Sequence, residues 1–146
     1  MGLFNSFNIS ASALSAQRLR MDIISQNIAN VNTTRTQDGT PYRRKTVLFQ
    51  EKEVPFSHYL SRESREKYLS GSGVRVAGIV EDTSPFKEVY DPSHPDADEN
   101  GIVRMPNVEI ITEMVNMISA TRAYEANVTA LNSSKSMALK ALEIGR

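Results

Sequence analysis

The stretch Ile110–Leu142, IITEMVNMISATRAYEANVTALNSSKSMALKAL, decides how this chain folds. Positions 110, 114, 117, 121, 124, 128, 131, 135, 138 and 142 recur at alternating spacings of four and three. They are apolar except at Thr121 and Lys135, whose side chains can still lie along a seam. A strict heptad needs the roughly 3.5-residue period of a supercoiled helix, because an ideal helix drifts off such a stripe. No Gly or Pro interrupts the run. At about 1.5 Å per residue the helix would be roughly 50 Å long, more than the diameter of a compact domain of this size. A rod of that length has to find a partner.

The nearest partner lies at the other end of the chain. From Asn5 to Val31, Phe7, Leu14, Met21 and Ile28 recur with the same heptad spacing, and Ala11, Ile24 and Val31 fill much of the neighbouring row. The opposite face holds Ser12, Ser15, Arg18, Arg20, Asp22, Ser25 and Gln26, which is polar but thinly charged, so another helix can come close. Asn27, Asn30 and Asn32 then cluster with Thr33 and Thr34 where the period stops. Asn suits a helix C-cap and exit turn, because it tolerates a left-handed backbone and its amide can bond nearby backbone groups. Asp38-Gly39-Thr40-Pro41 is a further turn signal.

Between the helical ends the periodicity changes. Arg44 to Gln50 and Val74 to Val80 read as strands, and Pro85 to Tyr90 as a third short one. Residues 57–72 are the most polar part and read as a mobile excursion. Arg43, Arg44 and Lys45 have Glu51 and Glu53 close by and no Gly-rich loop, so they are expected at a solvated strand entrance. The expected fold is therefore α+β: long N- and C-terminal helices pairing as an antiparallel coiled coil, with a small β-rich middle domain. Residues 1–36 with 105–146 form the helical part and residues 37–104 the middle. Pro106 and Asn107 should start the C-terminal helix, Asn107 as its cap, with Glu109 and Glu113 favoured by the positive end of the dipole. Two helices alone leave Ile111, Val115 and Ile118 as a second, uncovered stripe, which points to assembly.

Composition narrows the function. The chain has 146 residues, 40% of them hydrophobic, enough for one core and not for two large domains. Basic and acidic residues balance at 17 each, so net charge gives no case for nucleic acid or an anionic membrane as partner. There is no cysteine, hence no disulfide, thiolate metal site or cysteine nucleophile. No apolar run is long enough to span a membrane, and no secretory signal is expected, which read alone suggests the cytosol. Met1, Gly2 and Ser6 fit the permissive myristoylation pattern only loosely.

The loop Asp91–Gly101 contains the chemistry-bearing residues of the middle. Asp96, Asp98, Asn100 and Gly101 match the first half of a calcium loop, but the twelfth position is Asn107 rather than the bidentate Glu, so a turn-rich loop is expected instead. His94 has no second ligand spaced to complete a metal site or a catalytic pair, and a backbone-shaping role is expected. No catalytic, cofactor or metal residues are assigned. The chain is not expected to be an enzyme.

A resemblance follows from two sets of residues. Ser25–Thr34, SQNIANVNTT, resembles the N-terminal signature of the axial proteins of the bacterial flagellum: the rod, hook and hook-associated proteins. More narrowly, Asp91–Ala97, Met105–Val108, Glu113–Val115 and Arg122–Val128 resemble proteins of the proximal rod. Residues 55–72 carry little of this signature. The resemblance implies a structural subunit of the basal-body rod that transmits torque across the periplasm and is exported by the flagellar type III apparatus without a cleaved signal. That replaces the cytosolic reading. It also implies, as partners, other flagellar rod proteins and copies of the chain itself, joined by contacts that repeat helically. Under it, Phe7, Leu14, Met21, Ile28, Met114, Met117, Tyr124, Val128 and Leu131 are the candidate subunit-interface residues, with Asn27 and Asn30 setting the helix exit. The alternative is a self-contained helical-hairpin adaptor or secreted effector, which would be a stable compact monomer.

Overall fold

The computed structural model describes residues 3–53 and 73–144, so the polar excursion expected at 57–72 lies outside the described residues. Helix α1 is Leu3–Ala29 and helix α2 is Ile110–Ile144. Between them lie β1 (Lys45–Glu51), β2 (Val74–Glu81), β3 (Lys87–Tyr90) and β4 (Ile102–Met105). The α+β class is as expected. The short strand β4 is the element the sequence reading lacked, because its four residues follow a loop too rich in Asp and Pro to show alternation.

The helices pack on each other and run antiparallel. Thr121 lies against Met21 and Glu113 against Asn27, so one number rises as the other falls. The buried face of α2, however, is rotated from the expected stripe. It centres on Glu113, Met117, Ala120, Tyr124, Asn127, Leu131, Ser134 and Ala138, all buried or half-buried and again spaced four and three. Met117, Tyr124, Leu131 and Ala138, four of the ten expected heptad positions, are thus on this face. Of the other six, Thr121 and Val128 sit at its edge, while Ile110, Met114, Lys135 and Leu142 are exposed. On α1, Phe7, Leu14, Met21 and Ile28 are half-buried, and the deepest positions are Ser10, Ala16, Ile23, Ile24 and Asn27. Ala11, expected inward, is exposed.

Strands β1 and β2 pair antiparallel, with a register shift after Leu48 that leaves Ala77 as the extra residue of a bulge. This hairpin also packs on α1, which is why that helix is buried on more than one side. The Ser12 hydroxyl donates to the Ile9 carbonyl and accepts the Val74 amide at 3.1 Å, fixing the start of β2 on the helix. Gly73 makes that approach possible, since a Cβ there would collide with the Ser12 oxygen. Strands β3 and β4 form a second antiparallel pair.

The α1 exit works by side-chain capping. The Gln26 carbonyl receives both the Asn30 amide N–H at 3.1 Å and the Asn30 side chain at 2.9 Å. Among the described residues no non-glycine takes a left-handed backbone, so Asn acts here through its amide and not through the conformation it tolerates. The next turn is closed by Tyr42 N–H on the Thr33 carbonyl and Thr36 N–H on the Thr40 carbonyl, with Gly39 at φ 75°.

The apolar interior is thin. Among the described residues, the buried apolar side chains are Ala16, Ile23, Ile24, Val47, Val103, Pro106, Val108 and Ala120. A long helix gets most of its stability from tertiary packing, so this core leaves much of α2 without support.

The β3–β4 loop tests the backbone directly. Gly101 has φ 74°, and a Cβ there would sit 3.1 Å from both Pro92 and Tyr90. Gly101→Ala should therefore lower stability by about 1–2 kcal/mol through the left-handed penalty alone. Urea denaturation followed by circular dichroism measures it, and an unchanged midpoint would contradict the tight packing of this loop.

Candidate functional site: a buried polar joint and an exposed apolar face

The start of α2 carries a carboxylate with no access to water. Glu113 lies in the first helical turn, as the dipole favours, and it is 0% exposed, which its charge alone did not predict. Burying a charge is costly unless it is paired and hydrogen-bonded, and here every need is met. Oε1 accepts Arg44 Nε at 2.8 Å, pairs with Arg44 Nη2 at 2.8 Å and receives the Asn116 amide at 3.3 Å. Oε2 accepts the Asn27 amide at 2.9 Å.

Asn27 is 1% exposed and uses its full bonding capacity. Its Nδ2 donates to Glu113 and to the Lys45 carbonyl at 2.8 Å, and its Oδ1 accepts the Lys45 amide at 2.9 Å and the Tyr42 hydroxyl at 3.0 Å. The paired bonds to Lys45 make the Asn27 amide behave like a neighbouring strand residue for the first residue of β1. Tyr42 lies within electrostatic reach of Glu81 and Glu113. Burial first, then those two carboxylates, push its phenol pKa up from 10.0, so it stays the protonated donor this bond requires.

Arg44 extends the joint outward. Its Nη1 reaches Thr46 at 3.3 Å and Asp82 at 3.5 Å, while its backbone amide donates to Asn107 Oδ1 at 2.8 Å. Asn107 Nδ2 then donates to the Asp82 and Ser84 carbonyls at 3.1 and 3.2 Å. Asp82 is held below the usual carboxylate range, chiefly by hydrogen bonds from Ser84 and secondarily by Arg44. Two expectations are corrected here. Asn107 does not cap α2 but ties its approach to the strand ends; Glu109, just before the helix, takes the Thr112 hydroxyl at 2.8 Å. The Arg43–Lys45 run is not a solvated entrance either, since Arg44 is bound into the joint and Arg43 stacks 4.4 Å over Phe86.

The joint thus gathers α1, β1, β2 and α2 around one carboxylate. Of the expected residues it contains Asn27; Asn30 lies one turn on as the cap. Glu113, Arg44, Tyr42 and Asn107 were missed as partners. The signal that could have found Glu113 is its row: Glu113, Ala120, Asn127 and Ser134 recur every seven residues, a line of small or polar side chains beside the apolar one.

The second feature is apolar and exposed. Ile111 (71%), Val115 (61%) and Ile118 (53%), the stripe expected to be left uncovered, stand on the outer face of α2, and Met114 (54%), expected in the heptad seam, is exposed beside them. Contiguous exposed apolar residues of this kind mark interaction surfaces. By contrast the Asp91–Gly101 loop is internally occupied. Asp98 Oδ1 accepts the Asn100 and Ile102 amides, Asp91 Oδ1 accepts Ser93, Asp96 takes the Thr34 hydroxyl at 2.7 Å, and His94 Nδ1 accepts the Asp96 amide at 3.1 Å. Those bonds shape the backbone. Among the described residues no three acidic or histidine side chains converge as a metal site, and no helix is long and apolar enough to cross a membrane.

Comparison with known proteins gives this surface its setting. Residues 7–36 match the family described as flagella basal body rod protein, and residues 99–144 the family described as flagellar basal body rod FlgEFG protein C-terminal. The chain is 51% identical to the flagellar basal-body rod protein FlgC of Bacillus subtilis over the whole of both chains. It is 52% identical to FlgC of Borreliella burgdorferi over 99% of this chain and 98% of the other. With FlgC of Salmonella typhimurium it shares 43% identity over the full length of each.

The joint makes two expectations measurable by denaturation. Removing one partner of a buried ion pair strands the other, so Arg44→Met or Glu113→Met alone should cost about 3–5 kcal/mol, and the double variant should recover much of it. Additive losses would mean that the pair is not coupled. On the alkaline side, a folded-state phenol pKa above the unfolded value means that Tyr42 contributes stability below pH 10.0 that is lost as pH rises through its folded pKa. Tyr42→Phe should flatten that alkaline fall.

Proposed function

Because the chain belongs to the FlgC family of flagellar basal-body rod proteins, we propose that it builds the proximal rod through helical contacts of its terminal helices. It is a structural rod protein and not an enzyme. The observation that carries the assembly reading is the exposed stripe of Ile111, Met114, Val115 and Ile118 on a chain whose own core is thin. Burying apolar area is the main favourable term in association, and at about 25 cal/mol per Å² this stripe rewards a neighbour more than it helps the isolated chain.

In this reading residues 1–36 with 105–146 form a coiled-coil inner layer, and residues 37–104 a small outer unit held to it by the Glu113 joint. Met117, Tyr124, Val128 and Leu131 of α2, with Phe7, Leu14, Met21 and Ile28 of α1, line or border the intramolecular seam. Met114 turns outward to neighbours. Asn27 and Asn30 fix where the helical layer ends. Partners are other rod proteins and further copies, joined heterologously so that contacts repeat without closing. Torque across the periplasm passes through many packed contacts, and export uses the flagellar type III apparatus. No nucleic acid or membrane insertion enters this role.

Met114→Asp tests the reading. Met114 is exposed, so the free chain should keep its helix content by circular dichroism. The variant should fail to enter basal bodies and leave cells non-motile; normal swimming would sink the assembly role of this face.

A further inference from the structure

Each helix carries a continuous outer row spaced four and three. On α1 it is Ala11, Ser15, Arg18, Asp22, Ser25 and Ala29; on α2 it is Ile111, Val115, Ile118, Arg122, Glu125 and Thr129. Every one of these positions is exposed. The α1 row has small side chains on both sides of a charged pair, and the α2 row has three branched apolar side chains leading into another charged pair. None of Arg18, Asp22, Arg122 and Glu125 makes an ion pair or side-chain hydrogen bond among the described residues.

We propose that the outer row of α2 seats antiparallel on the outer row of α1 of a second copy, with Arg122 against Asp22 and Glu125 against Arg18. This rests on the assembly reading above and names its faces and register. The charges choose the sense. Antiparallel packing pairs both at once, whereas a parallel pair that matches Asp22 to Arg122 sets Arg18 against Ile118 and Glu125 against Ser25. The same register brings Ile118 over Ser25 and Val115 over Ala29, so branched side chains meet small ones. Ridges then find room to interdigitate, as helix packing requires.

Two like-with-like arrangements fit the charges but not the rest. Two α2 rows can pair Arg122 with Glu125 twice, yet they set Ile118 against Thr129 and Val115 against Asn132. Two α1 rows leave the apolar stripe uncovered. Both are also isologous and close after two copies, while α2 on α1 leaves one free row of each kind for the next copy.

Charge reversal in the full chain, read by basal-body assembly and swimming, is the test. Asp22→Arg faces Arg122 and Arg122→Asp faces Asp22, so each alone should lose assembly, and the two together should restore it. The side chains are exposed, and unchanged circular dichroism of the free variants checks that folding is not the cause. Silent single variants, or a double variant that stays defective, overturn the register. The chain has no cysteine, so an independent readout is available. In basal bodies containing both Ser25→Cys and Ile118→Cys copies, oxidation should give mixed dimers; Ile118→Cys copies joining to each other instead would overturn the proposal. Loss of assembly in Met114→Asp with silent charge reversals would leave the assembly reading standing and remove only this register.

Discussion

Much of this structure depends on a carboxylate that has lost its water. Glu113 sits at 0% exposure with its oxygens held by Arg44 and Asn27, and those two come from different parts of the chain. The position of α2 is therefore locked to α1 by Asn27 and to the strands by Arg44. Packing of small apolar residues would permit helices to rotate or slide by a turn with little loss. A buried ion pair does not, because a slip strands the charge. For a rod subunit this means that load reaching the strands is passed to the helical layer through fixed geometry.

The gross plan was legible because long helices and short strands leave different periods. The heptad gave the length of α2, its antiparallel neighbour and half of its inner row: Met117, Tyr124, Leu131 and Ala138. The other inner row was not legible for a physical reason. An apolar count selects side chains that gain from leaving water, whereas Ala120 is inside because it is small, Asn127 and Ser134 because they bond the Ala123 and Ala130 carbonyls of their own helix, and Glu113 because its partners lie far away in sequence. Ala120 at 0% exposure shows the consequence, close contact without a large side chain.

The same limit explains the misread polar residues. Arg44 resembles any strand-flanking arginine until Glu113, 69 positions later, is brought beside it. Asn107 has the composition of a helix cap, yet the carbonyls of Asp82 and Ser84 and the amide of Arg44 saturate it. Local rules weigh only local partners, and a tertiary bond to an otherwise buried group outweighs a cap of about 1 kcal/mol. Where competition is only local, as for Asn30 on Gln26, the sequence reading and the structure agree on the role.

The rotation of α2 also gives one helix two faces, one for its own chain and one for the proposed assembly. Turning the small and polar row inward keeps the intramolecular pair slim, and it presents Met114, Val115 and Ile118 to the outside. The isolated chain is then only modestly stabilised by its own core, and covering the outer stripe adds stability when neighbours arrive. A large net charge of one sign would oppose that step through repulsion between identical copies. The 17 basic and 17 acidic residues cancel instead, so no long-range field opposes the approach of the next subunit. Short-range charges remain free to set the register.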